Sequence, residues 1–460
     1  DDLRMLTGHE IEVVVSMGSE IRDSIDKYYG QRDGAMAEEE IFDDLMQQSG
    51  GEDELEMVVE QEDVDLASVQ VEAEEAPIVR LANLILTNAI ESGASDVHIE
   101  PFEKRLRVRY RIDGKLEEEK SPPKNVQAAL TSRFKIMCDM DIAEHRVPQD
   151  ARFRIKYKGR EIDFRVSTLP TYHGEKMVMR ILDKGALSLD LEQLGFEEQP
   201  YRDFMSSIQS PYGIILVTGP TGSGKTTTLY SALHYLNNAD VNIVTVEDPV
   251  EYELFGVNQV HVHAEIGLTF AGALRSILRQ DPDIVMVGEM RDEETADIAI
   301  KAALTGHLVL STLHANDAPS VVTRLTDMGM EPFLIASSLK LTAAQRLMRR
   351  ICNNCKEEVE VPKDVLKRVQ YKPSGGTATF YRGRGCKRCK DSGYKGRLAV
   401  IEVMPNSEEI EDLIMERAPA TTLKQKATEL GMRTLRQNAL EKAVKGLTTL
   451  EEVLRITAAD

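Results

Sequence analysis

Residues 213–236 read GIILVTGPTGSGKTTTLYSALHYL. The opening run, Gly213-Ile214-Ile215-Leu216-Val217-Thr218, has the unbroken apolar pattern of a buried parallel strand. Gly219-Pro220-Thr221-Gly222-Ser223-Gly224-Lys225-Thr226-Thr227 follows, and the rest of the stretch is helical in pattern. Strand, GxxxxGK[ST], helix is the order that lets backbone N–H groups close around a β-phosphate at the positive end of a helix. These nine residues are therefore read as the ATP-binding segment. Lys225 supplies a point charge to the β/γ oxygens, and the Thr226 hydroxyl is a Mg²⁺ ligand.

Working outward, three further apolar runs each end in a polar group suited to phosphate chemistry. Residues 242–246 end in Glu247-Asp248-Pro249, 284–287 in Gly288-Glu289, and 308–312 in Leu313-His314. In an open α/β sheet the ligand sits at the carboxyl edge of the strands, so these groups are expected beside the phosphate loop. The usual second nucleotide motif has an Asp directly before the Glu; here that position is Gly288. Glu289 must then hold Mg²⁺ through water, orient the attacking water, or both. Glu247 is the second candidate for either task. His307 and His314 are read as a pair sensing the γ-phosphate.

The 460 residues carry a formal net charge of −21, but unevenly. Residues 1–76 hold 24 acidic and 4 basic side chains, whereas residues 77–460 hold 53 and 52. The acidity describes a leading segment, so it does not exclude phosphate binding by the body. The chain opens Asp1-Asp2 without Met, as a processed or truncated product would. Residues 1–30 read as the remnant of an N-terminal domain and 31–76 as an acidic flexible linker. From Ile78, apolar residues recur at helical spacing (Leu81, Ile85, Ala89). Alternating strands follow with hairpin turns at Asp113-Gly114 and Lys158-Gly159. Residues 77–192 are thus expected to form a small α+β domain, and 193–350 an α/β core with a parallel sheet and crossover helices.

Cys352-x₂-Cys355 and Cys386-x₂-Cys389 are two CxxC knuckles thirty residues apart. That spacing suits tetrahedral thiolate ligation of a structural Zn²⁺ across residues 351–397. Four thiolates complete the coordination sphere, which leaves no open catalytic position. Residues 398–460 read as a helical C-terminal subdomain, with apolar spacing at Leu413, Ile414, Leu423 and Leu430. No secretory leader and no apolar run of membrane-spanning length is seen, so the chain is expected to be cytosolic and reduced.

Four segments together resemble the signature boxes of the type II/type IV secretion superfamily ATPases. These are Gly219–Thr226 (Walker A), Val246-Glu247-Asp248-Pro249-Val250-Glu251-Tyr252 (Asp box), residues 279–289 (Walker B) and residues 306–316 (His box). The resemblance implies a RecA-like, homohexameric motor preceded by a PAS-like domain that supplies arginines to a neighbouring subunit's phosphates. The segments around Arg165 and Arg180 match the arginine-bearing strands; Arg275, Arg279 and Arg324 match further family arginines. It also implies an output in pilus assembly or, as the alternative, type II secretion, because retraction motors generally lack the tetracysteine insertion. An inner-membrane platform protein and pilus assembly proteins are the implied partners, with the motor cytoplasmic and peripheral at that membrane. A competing class, a nucleic-acid translocase, draws on the basic residues Arg382, Arg384, Lys387, Arg388, Lys390, Lys395 and Arg397 around the second knuckle. The neutral body and the lack of an aromatic platform argue against it, and no nucleic acid is expected.

Overall fold

The computed structural model describes residues 77–457 apart from 184, 186–188, 362–365, 367–370 and 372–378, together with the backbone of a strand at 55–57. The chain divides into two compact units between Asp183 and Lys184. The remnant expected over 1–30 and most of the linker expected over 31–76 lie outside the described residues. Within that linker, β1 (Leu55–Met57) pairs antiparallel with β5 (Gln149–Tyr157), so these three residues belong to a sheet.

In the first unit the helical spacing from Ile78 becomes α1 (Pro77–Glu91), which buries Leu81, Ile85 and Ala89. After β2 (Ala94–Pro101), β3 (Leu106–Ile112) returns as β4 (Lys115–Glu118) through Asp113 and Gly114, at φ 47° and 83°. Positive φ at both central residues is what a type I′ hairpin requires. Helix α2 (Gln127–Met137) then leads to β5, β6 (Arg160–Thr171) and β7 (Gly174–Asp183). The sheet order is β1-β5-β6-β7-β2-β3-β4, all pairs antiparallel. Alternation places Val97, Ile99, Val108, Phe164 and Met179 on one face, where they share a core with α1 and with Phe134 of α2. The opposite face carries Asp96, Arg111, Arg152, Arg165 and Arg180.

The second unit opens with a short turn (Leu191–Leu194) and α3 (Glu198–Ile208), then β8 (Gly213–Thr218) and α4 (Lys225–Leu236). Next come β9 (Ile243–Glu247), β10 (Asn258–His261), α5 (Phe270–Ile277), β11 (Ile284–Val287), α6 (Glu293–Leu304) and β12 (Leu308–Leu313). Helices α7 (Ser320–Asp327) and α8 (Pro332–Ser338) lead into the long β13 (Leu339–Ile351). The cysteine insertion carries β14 (Lys356–Val359) and β15 (Phe380–Gly383); β16 (Tyr394–Pro405) follows it. Four helices close the unit: α9 (Glu408–Met415), α10 (Ala420–Glu429), α11 (Leu435–Val444) and α12 (Leu450–Ile456). The main sheet runs β10-β9-β11-β12-β8-β13-β16, parallel except for β16. Strands β8, β9, β11 and β12 are buried end to end, as strands covered on both faces must be.

Two expected boundaries move. The first unit ends at Asp183 rather than 192, because Leu191 is buried among Ile215, Val217 and Tyr230 of the second unit. The segment expected to be helical from 398 begins with eight residues of β16, paired along β13, and its helices bury Ile410, Leu423, Leu435 and Val453 in the main core. The neck of the insertion is tied to that core as well. Arg349 lies 3.8 Å over the Tyr394 ring and pairs with Glu452, which is 1% exposed. Burial raises the Glu452 carboxyl, but hydrogen bonds from Arg455 and Arg349 outweigh it and hold it at about 2.

Candidate active site

The phosphate loop is shaped by two glycines that no other residue replaces without displacement. At Gly219 (φ 147°) a Cβ would lie 2.4 Å from the Gln345 carbonyl and 2.6 Å from Ser223 Oγ; at Gly224 (φ 90°) it would lie 2.9 Å from Gln345 Nε2. The loop therefore packs against β13, through a residue the sequence reading did not single out. Gln345 also accepts the Thr228 hydroxyl at 2.7 Å, pinning the first turn of α4. Lys225 folds back to donate to the carbonyls of Gly219 at 2.9 Å and Pro220 at 3.2 Å. Burial lowers its pKa, with Glu289 opposing that shift and Arg346 adding to it. Ser223 Oγ is buried without a hydrogen-bond partner, a donor inside the loop that a phosphate oxygen would satisfy.

The parallel register brings the expected acids to the same edge. Leu313 pairs with Thr218, Val287 with Ser311 and Val246 with Val287, so the ends of β8, β9, β11 and β12 are aligned. Glu289 follows β11 with its side chain 18% exposed; its carboxylate pairs with Arg291 and lies 3.4 Å from His314 Nε2. Arg291, whose pKa that hydrogen bond raises, was invisible in the sequence as a site residue. The Thr218 hydroxyl joins the phosphate strand to the His314 loop by accepting the Ala315 N–H at 2.7 Å. Glu247 is placed differently. It is 3% exposed and accepts hydrogen bonds from Tyr230, from Thr245 at 2.7 Å and from Gln259 at 3.0 Å. At Gly288, where the usual Asp is missing, the N–H donates to the Val246 carbonyl at 2.8 Å, and a Cβ would sit 3.3 Å from that oxygen.

His307 is not brought to this edge within one chain. It precedes β12, and its carbonyl accepts the N–H of Gly213 at the start of β8. The six residues of β12, at about 3.3 Å each, put roughly 20 Å between it and His314. Its Nδ1 lies 3.0 Å from the Ala302 carbonyl, so within one chain it belongs to the loop after α6, away from the phosphate edge.

In the first unit the two singled-out arginines are directly opposite one another, Arg165 on β6 and Arg180 on β7. The row continues with Arg152 opposite Arg165, and with Asp96 opposite both Arg180 and Arg111. Asp96 lies 3.4 Å from Arg180 and 3.5 Å from Arg111. Like charges directly across a ladder are unfavourable for the sheet, and this row sets Arg165 between Arg152 and Arg180.

Two further features complete the second unit. A cavity of about 410 Å³ starts at Gly224 and Thr227 and is walled by Leu194, Leu347, Leu398 and Leu447, with Arg350 and Lys442 at its polar side. It continues the phosphate loop with room for a nucleoside. The four insertion cysteines converge, with all four sulfurs within 4.8 Å. Cys352–Cys386, Cys355–Cys389 and Cys386–Cys389 Sγ separations are 3.9, 3.8 and 3.7 Å. A tetrahedron with Zn–S bonds of about 2.3 Å has edges of about 3.8 Å, so this cluster could hold a metal ion of that kind.

A phosphate loop on a parallel sheet, with a glutamate and a histidine facing each other beside it, defines a P-loop ATPase. The chain belongs to the type II/IV secretion system protein family, whose model matches residues 71–455. It is 52% identical to the type IV pilus assembly ATPase PilB of Myxococcus xanthus, over 100% of this chain and 80% of that one. It is 47% identical to the type II secretion system protein E of Xanthomonas campestris pv. campestris, over 99% of this chain and 78% of that one. Among solved structures it resembles the pilus retraction motor PilT with bound ADP, at 28% identity and a TM-score of 0.55, covering 82% of this chain and 96% of that one.

Proposed function

We propose that this ATPase powers type IV pilus assembly, working as a homohexamer that drives pilin polymerisation through an inner-membrane platform protein. The observation that carries the reading is the 52% identity with a pilus assembly ATPase along the whole of this chain. A type II secretion motor is the second reading, favoured by the 47% identity over 99% of the chain. Deleting the gene in its host separates them. Loss of surface pili with normal enzyme export is the expected result; normal piliation with failed export would install the second reading.

In this proposal Gly219, Pro220, Thr221, Gly222, Ser223, Gly224, Lys225, Thr226 and Thr227 cradle the phosphates, and the adjoining cavity takes the nucleoside. Thr226 and Glu289 would hold Mg²⁺, which neutralises charge on the phosphate oxygens when bound. Glu289 orients and deprotonates the attacking water, with His314 facing it. Glu247, already engaged by three donors, positions the edge of β9. Arg165 and Arg180 act on a neighbouring subunit's phosphates. In this reading the hexamer works at the cytoplasmic side of the inner membrane, reached through its partners, and the family similarity supports it. No described helix is long and apolar enough to cross a membrane.

The cysteine cluster is assigned to structural Zn²⁺ on its sulfur spacing. Metal analysis of the purified chain should find about one zinc per chain, and Cys386→Ser should reduce it to a small fraction. A wild-type value well under one would end this assignment.

A further inference from the structure

Glu402 lies in the middle of β16, a position the sheet interior would ordinarily give to an apolar residue, and it is 1% exposed. Fully buried carboxylates are rare unless something specific accepts them. One oxygen accepts the N–H of Ala318 at 2.8 Å and the other the N–H of Leu435 at 2.9 Å. Ala318 is in the loop that carries His314, which faces Glu289 at 3.4 Å. Leu435 is the first residue of α11, whose Lys442 donates to the Gly195 carbonyl at 2.6 Å; Gly195 and Lys442 both line the nucleoside cavity. The same loop is held from the other side by Arg346, which donates to the Asn316 carbonyl at 2.7 Å.

We propose that Glu402 is a positioning residue for hydrolysis: its carboxylate clamps the His314 loop to the N-terminus of α11, keeping both ends of the nucleotide site in one register. Neither arm touches nucleotide, so the clamp acts through His314 on one side and through α11 on the other. A hydrophobic residue would fill the space without making either bond. Protonation should release the clamp, because a carboxylic acid presents an O–H where one N–H needs an acceptor.

The surrounding charges set where that happens. Burial raises the Glu402 carboxyl to about 7, opposed by the two N–H bonds. Asp317 of the loop raises it further, and Lys424 of α10 lowers it. Arg346 of β13 also senses the charge of Glu402. A folded-state pKa above the unfolded value means that stability is lost as pH rises through 7, while the clamp, and with it turnover, is gained. Activity and stability therefore move in opposite directions over the same pH range, which a merely structural carboxyl would not produce.

The test is Glu402→Gln in the full-length protein, with ATP as substrate. The expected result is a fall in kcat on the order of 10-fold or more with KM for ATP within about threefold. The acid limb of the wild-type kcat profile near pH 7 should flatten in the variant. The variant's Tm should rise relative to wild type as pH goes from about 5 to 7 and level off above that. Leu435→Pro removes the N–H of the helix arm, at a first-turn position where proline is tolerated, and should lower kcat in the same way, whereas Leu435→Ala, which loses the same buried side chain but keeps the N–H, should not. Leu435→Pro carries the test if Glu402→Gln does not fold. Unchanged kcat in Glu402→Gln or Leu435→Pro, a loss matched by weaker ATP binding, or an acid limb that survives Glu402→Gln would overturn the proposal.

Discussion

Glu289→Gln should bind ATP as wild type does and hydrolyse it on the order of 10²- to 10⁴-fold more slowly. The substitution keeps the size of the side chain and its ability to accept from Arg291, so the fold and the ATP-binding loop are preserved. It removes the negative charge that lies 3.4 Å from His314 and that opposes the burial shift of Lys225. A general base has to reach the proton it takes, and Glu289 is the acid of this edge with an open side. Glu247 is 3% exposed and already accepts from Tyr230, Thr245 and Gln259, so Glu247→Gln should cost less. Single-turnover hydrolysis beside fluorescent-ATP binding checks both. If Glu247→Gln proves the slower enzyme, the two roles exchange.

Arg165→Ala and Arg180→Ala should each lower ATPase activity by about 10³-fold, with little loss of stability. The small stability cost follows from the register and exposure: Arg165 lies opposite Arg180 and Arg152 on the sheet, and the Arg180 side chain is 53% exposed beside Asp96. Removing one member takes away, in the proposed role, charge that would face a transferring phosphoryl group. Whether the arginines serve a neighbour is tested by mixing two inactive variants. Lys225→Ala lacks the phosphate lysine but keeps its arginines, and Arg180→Ala is the reverse. Mixed hexamers should regain a substantial part of the wild-type rate; a mixture as dead as its components would show that the arginines act within their own chain.

The features legible in the sequence share one property: they arise between residues close in the chain. The phosphate loop needs its glycines within nine residues of its strand and helix. The hairpin at Asp113-Gly114 depends on two adjacent residues at positive φ. The cysteine pairs declare themselves by two short spacings, and their sulfurs meet as that spacing requires. The helix from Pro77 follows from apolar residues every three or four positions. His307 could also have been placed from the sequence, since it stands before its strand while His314 stands after it.

What stayed hidden depends on strand order, which no local period encodes. Gln345 meets the phosphate loop because β13 lies beside β8, and Tyr230 of α4 reaches Glu247 at the end of β9, seventeen positions further on. Arg152 joins Arg165 and Arg180 only through the pairing of three strands. Glu402 falls in a segment whose sequence reads as helical, and nothing marks it until the fold brings Ala318 and Leu435 to its two oxygens. By itself the sequence determined that this chain binds and hydrolyses ATP and carries a tetracysteine cluster, because those chemistries use contiguous backbone or short fixed spacings. The tertiary structure alone decided which acid stays open to water, which histidine faces it, and what holds that histidine's loop. Those choices are made by burial and by hydrogen bonds between residues far apart in the chain, which exist only once the sheet has assembled.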